Sequence, residues 1–235
     1  METAAHASIV AELLQRTDSV LADIAGRARS RRRAGGLVAV AAAGTAAFGA
    51  AVGSYVGGGQ IVHAAIKMPV LFLGTLVVSV LLMHVLAGVF RIGLAFDQTA
   101  LLCVTSIAMT GAILGGLAPV FALFSIAAPY PSYRAYLWLV LAMVAAIALA
   151  GSVSVAVLLR GLRAAARSGG GVRRTVACWL IVYHFVGGQV AWLLRPFVGD
   201  NRDVFGGFSL SRNLHGNIYE GVLDTIRAVL STAGG

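Results

Sequence analysis

Acidic side chains are scarce in this chain: nine Asp and Glu stand against eighteen Lys and Arg over 235 residues, giving a formal net charge of +9. None of the nine falls in the middle of a long apolar stretch, and Asp97 sits at the edge of one. Proton-coupled and cation-coupled transporters usually need a carboxylate buried in the path, so the pattern argues against that class. The two cysteines, Cys103 and Cys178, both lie within apolar stretches. They read as small buried residues, with no disulfide framework. Catalytic signatures are missing too: there is no Gly-rich loop ending in Lys-Ser or Lys-Thr, no His-Glu-x-x-His, no Gly-x-Ser-x-Gly and no pair of carboxylates facing a site. The expectation is a protein that is not an enzyme.

Charged residues make up only 11% of the chain, against about 25% in an ordinary globular domain. What fills the chain instead is apolar length. Five stretches, 36–55, 69–90, 99–127, 136–159 and 176–194, are each near the ~20 residues that cross a bilayer. The fold class expected is all-α: an integral membrane bundle of five transmembrane helices, with amphipathic helices at both ends. It divides into residues 1–35, an amphipathic helix and arginine-rich segment; 36–198, the transmembrane domain; and 199–235, a loop and a second amphipathic helix. The third stretch contains Pro119 and reads as one kinked helix. No internal repeat is evident, which weakens an inverted-repeat transporter reading.

Arginines mark one side of the membrane. Arg27, Arg29, Arg31, Arg32 and Arg33 precede the first span, Arg91 follows the second, and Arg160, Arg163, Arg167, Arg173 and Arg174 lie between the fourth and fifth. The other connectors carry only Lys67 and Arg134. The positive-inside rule then places the N-terminus in the cytoplasm and, after five crossings, the C-terminus outside. Because these arginines flank spans and form no free basic domain, they read as topology determinants and lipid contacts, with Arg31, Arg32 and Arg33 at the headgroups and no nucleic acid as partner. Seventeen of the eighteen basic residues are Arg, which fits a GC-rich coding sequence and hence a bacterial inner membrane. The first span, preceded by a polar segment, reads as an uncleaved signal anchor.

Residues 4–25 carry Ile9, Val10, Leu13, Leu14, Val20, Leu21 and Ile24 at helical spacing. The stripe predicts an amphipathic helix, covered by the membrane surface or by a partner or neighbouring subunit. Residues 217–230 predict a second one, with Asn217 as N-cap and Glu220 three residues on. From Arg195 into that helix, Arg195, Asp200, Arg202, Asp203 and Glu220 form the one charge-dense cluster on the outer side, read as an ion-pair network tying the helix to the fifth span, or as a headgroup or partner contact.

Within the spans, Gly44, Gly49, Gly53, Gly111, Gly115 and Gly151 offer small-residue faces for close helix packing, inside one bundle or between subunits. His84 lies seven residues from Arg91 and His184 eight past Val176, which puts both about 10 to 12 Å from the cytoplasmic boundary. An imidazole at that depth is a candidate ligand for haem, a pigment or a metal, with hydrogen bonding to neighbouring helices as the plainer reading. Thr75, Ser79, Thr105, Ser106, Thr110, Ser152, Ser154 and Gln189 could line a pore, or the hydroxyls could bond back to their own helices.

Lys67-Met68-Pro69 leading into a span, Trp192-Leu193-Leu194-Arg195-Pro196-Phe197 closing the last one, and Gly216-Asn217-Ile218-Tyr219-Glu220 beyond it resemble a group of bacterial multi-pass membrane proteins with these two motifs. The resemblance carries no activity. It implies that Lys67, Pro69, Arg195, Pro196 and Asn217 belong to one outer-face structure, with Asp200, Asp203 or Glu220 between the cations. No cofactor is expected. The partners expected are the lipid bilayer and further copies or other membrane subunits. The leading function is an oligomeric anchor or scaffold subunit of a larger assembly. A passive channel formed by the same oligomer and a haem-, pigment- or metal-binding protein built on His84 and His184 are the alternatives.

Overall fold

The structure is a computed structural model that describes residues 2–26, 30–166, 169–194, 197–198 and 223. Those residues form seven α-helices, one short 3-10 turn at Gly169–Gly171, and no strand. In chain order the helices are α1 (Glu2–Gln15), α2 (Thr17–Ala25), α3 (Ser30–Gly53), α4 (Gly59–Val89), α5 (Phe96–Ala127), α6 (Tyr133–Ala165) and α7 (Val172–Leu194). Helices α3 to α7 are each long and apolar enough to cross a membrane. The protein is therefore a multi-pass, all-helical membrane bundle.

Helix α3 lies between α4 and α5, with α6 packed on α5 and α7 packed on α4. Its composition explains its place. From Gly36 onward it is built largely from Ala, Gly and Val, with Phe48 the one large ring. A backbone that thin lets neighbours come close. Gly44 faces the carbonyl of Gly111, and a Cβ on Gly111 would stand 2.7 Å from the Cα of Ala41. On the other flank Gly49 and Gly53 receive Ala64 of α4. Such approach, more than leucine burial, is what holds helices together in lipid. Phe48, fully buried, fills the space beyond the glycines and meets Phe121 edge-on with ring centroids 4.7 Å apart.

Two boundaries differ from the sequence expectation. Helix α4 starts at Gly59, ten residues before Pro69, so Lys67 stands on the helix and not in a connector. The preceding residues are helical because Ala64 and Met68 are buried against the glycines of α3. That packing outweighs the local signal of the proline, which costs one backbone donor within the helix. The α3–α4 turn uses Gly57 and Gly58 at φ of 79° and 52°, where side chains with a Cβ are strained. Helix α5 runs unbroken through Pro119 as a single helix.

The N-terminal segment is also corrected. It is two helices, not one, interrupted at Arg16, and most of its apolar stripe is covered by the chain's own bundle, while Leu14 stays exposed. Leu13, Val20, Leu21 and Ile24 are all at most 4% exposed. Helix α2 lies against α6, and α1 against α3.

Candidate functional site

The arginine-rich end of the bundle is closed by a set of ion pairs. Arg33, at the start of α3, donates from Nη1 to Asp23 Oδ2 at 2.6 Å and from Nη2 to Glu12 Oε1 at 2.9 Å. One guanidinium thereby ties α1 and α2 to α3. Arg160 of α6 reaches Asp18 at 3.1 Å, and Gln98 of α5 donates to the carbonyl of Ala25 at 3.1 Å. Apolar sockets complete the clasp: a Cβ on Gly161 would meet Leu21 at 2.9 Å and Leu102 at 2.6 Å, and one on Gly36 would run into Ile9. Arg33 was expected at lipid headgroups, yet two carboxylates of its own chain hold it. The side chains of Arg31 and Arg32 lie outside the described residues. Sequence reasoning missed this clasp, although acids on an amphipathic segment followed by an arginine run were the available signal.

Six of the eight candidate pore residues are packed in the interior. Thr75, Ser79, Thr105, Ser106, Thr110 and Ser154 are each at most 3% exposed. Thr75 and Thr105 donate to carbonyls four residues back. Thr110 and Ser154 share a 2.7 Å hydrogen bond, and Ser106 donates to the Ser154 carbonyl at 2.9 Å, which locks α5 to α6. Ser152 is exposed and bonds to Ala148 O within its own helix. These hydroxyls are bonded to helix backbones or to one another.

The two histidines are at different levels, which corrects the equal depths expected of them. Gly171, just before α7, abuts the carbonyl of Phe90, just after α4, so these helix ends are level. His84 is five residues from the end of α4 and His184 twelve from the start of α7, or about 8 Å and about 18 Å inward. The cause is that α7 begins at Val172, a turn earlier than its apolar run. His84 faces Phe96 with ring centroids 5.3 Å apart and lies 3.5 Å from Thr99 Oγ1. His184 is exposed on α7, with Nδ1 2.8 Å from the carbonyl of Leu180. Among the described residues no three His, Cys, Asp or Glu side chains gather as a metal site.

At the opposite end the tyrosines organise the loops. Tyr55, 4% exposed, donates to Ser132 O at 2.9 Å and accepts from Ser132 N–H at 3.3 Å, and its ring meets Tyr130 edge-on. The Tyr130–Pro131 bond in this loop is cis. Gln60, in the first turn of α4, donates to the Phe197 carbonyl at 3.0 Å, and Phe197 and Val198 are buried. Phe197 is thereby tied to the start of α4, the helix that carries Lys67 and Pro69. Arg195, Asp200, Asp203, Asn217 and Glu220 lie outside the described residues, as does the second amphipathic helix apart from Leu223.

Of the small-residue positions, Gly44, Gly49, Gly53, Gly111 and Gly115 all face other helices of the same chain. Gly151 does not: a Cβ there meets nothing within 4 Å. No protein-family model, curated protein or solved structure matches this chain.

Helix α7 is the span least covered by the rest of the bundle. Only 11% of its most apolar stretch is buried, against 28–44% in the other four. Its inner face buries Val172, Thr175, Val176 and Trp179, whose indole donates to Ser79 O at 3.0 Å. That bond fixes the inner face of α7 on α4. The outer face exposes Cys178, Ile181, Val182, Phe185 and Leu193, with Gln189 among them. Lipid tails cover the apolar members well. They offer nothing to a primary amide, and Gln189 has no hydrogen-bond partner among the described residues.

Proposed function

We propose that this chain is a non-enzymatic membrane subunit that joins a larger assembly through the outer face of α7. Its arginine-rich end lies in the cytoplasm and the last helix ends outside, in a bacterial inner membrane. The observation that carries this reading is Gln189. It sits five residues before the end of α7, about 8 Å inside that end, on a face that the described residues leave exposed. An amide there, with two donors and an acceptor, is better served by a polar neighbour than by lipid tails. Small-residue faces no longer argue for subunit contact, because five of the six glycines are used within the chain. Most of the N-terminal stripe is likewise occupied.

Gentle detergent or nanodisc extraction followed by mass determination tests the proposal. An assembly well above the 24.2 kDa of one chain is expected. Recovery of nothing but single chains, from native membranes and at low detergent, overturns it.

A further inference from the structure

We infer that helices α1 and α2 form a strap whose hold on the bundle responds to ionic strength: ion pairs to Arg33 and Arg160 latch it at low salt and release it as salt rises. Residues 2–26 carry Glu2, Glu12, Asp18 and Asp23 against one cation, Arg16. They lie on the arginine-rich end of the bundle, and three ion pairs join the two parts: Glu12 and Asp23 to Arg33, and Asp18 to Arg160. The α3–α5 and α5–α6 contacts rest instead on backbone approach at glycines and on buried hydroxyls, which dissolved ions do not reach. The strap is the contact that salt can weaken.

The latch is open to solvent. The Arg33 side chain is 28% exposed and its two carboxylate partners 36% and 47%, while Arg160 and Asp18 are 50% and 82% exposed. A cavity of about 20 Å³ lies beside the double pair, lined by Ile9, Glu12, Leu13, Val20, Arg33 and Leu37; that is room for about one water. The screening length falls from about 10 Å at 0.1 M salt to about 3 Å at 1 M, so pairs this exposed lose much of their attraction over that range. The apolar stripe does not oppose release with its full burial. A strap beside a bilayer can lay Leu13, Val20, Leu21 and Ile24 into the interface in place of the bundle. The hydrophobic gain is then similar in both positions, and the ion pairs tip the balance. Release uncovers the ends of α3 and α6, where Gly36 and Gly161 receive Ile9 and Leu21.

Distances between two spin labels test the latch. The full chain carries Cys178→Ser, Ala22→Cys and Gly170→Cys, which puts one label on α2 and one in the turn before α7. Both sites are exposed, and Cys103 is fully buried and stays unlabelled. In nanodiscs of zwitterionic lipid a single distance is expected at about 0.1 M potassium chloride, and a second should grow in at about 1 M. The ratio of the two populations should shift about tenfold, the loss expected when exposed pairs of this kind are screened. Neutralising the latch with Glu12→Gln, Asp18→Asn and Asp23→Asn should give the second distance at both concentrations. Asp18→Arg alone should do so in part, and adding Arg160→Asp should return the salt response. Cys103 that stays unreactive toward maleimide throughout shows that the five spans remain packed. A distance distribution that ignores salt overturns the latch, as does the same shift in the neutralised variant or in sucrose of matched osmolality. A shift that comes only with a reactive Cys103 overturns it too, because salt would then be opening the bundle and not the strap.

Discussion

Replacing Gly111 by alanine tests whether α3 and α5 are held by backbone approach. The new Cβ would lie 2.7 Å from Ala41 Cα, whereas ordinary contact begins at 3.4 Å. The two helices must therefore separate by about 0.7 Å along their closest stretch, a form of overpacking that costs about 1–3 kcal/mol. Alanine also favours the helix over glycine by up to about 1 kcal/mol, so the raw change understates the clash. Gly151→Ala supplies the correction. It gains the same propensity, and its Cβ meets nothing within 4 Å. The difference between the two variants isolates the steric cost. At about 2–4 °C per kcal/mol for a chain of this size, Gly111→Ala should melt about 2–12 °C below Gly151→Ala. The assay is built in: with Cys178→Ser as background, the remaining thiol, Cys103, is fully buried. A fluorogenic maleimide labels it only when the bundle opens. Equal melting of the two variants would refute the glycine seam.

Filling the α2 socket by Gly161→Leu should displace Leu21, and limited trypsin digestion should then cut at Arg16 while the five spans stay protected; no new cleavage would count against the docked arrangement. Arg33→Gln should loosen the same two helices more mildly, because each partly exposed ion pair contributes up to about 1 kcal/mol, and hydrogen exchange over residues 9–25 should speed up about fivefold per pair lost. Tyr55→Phe removes the hydroxyl that serves Ser132 at both its N–H and carbonyl, at a cost of about 1–3 kcal/mol; a melting temperature identical to the unmodified protein would show that the loop is held some other way.

The five crossings were legible because apolar length is a local property of the chain. What depends on neighbours was not. Pro69 looked like a helix start, and only the fit of Ala64 against Gly49 explains why the helix begins ten residues earlier. Residues 4–25 announced an apolar stripe, but nothing local says that Gly161 and Gly36 leave room for Leu21 and Ile9. That the outer face of α7 stays uncovered follows from which face meets α4, and no single residue states that. His84 and His184 looked level only because the start of α7 was set by hydropathy, while the helix itself begins at Val172, before Arg173 and Arg174.

The slender α3 has a consequence for biogenesis. It is the first of the five spans to leave the ribosome, its mean hydropathy of 1.7 is well below the 2.5 of α4, and its glycines are useful only once α4 and α5 exist. The nascent chain must therefore keep this weakly apolar segment in or beside the insertion machinery until some seventy further residues have been translated. Substitutions that slow synthesis of α5 should consequently harm insertion of α3, a helix they never touch.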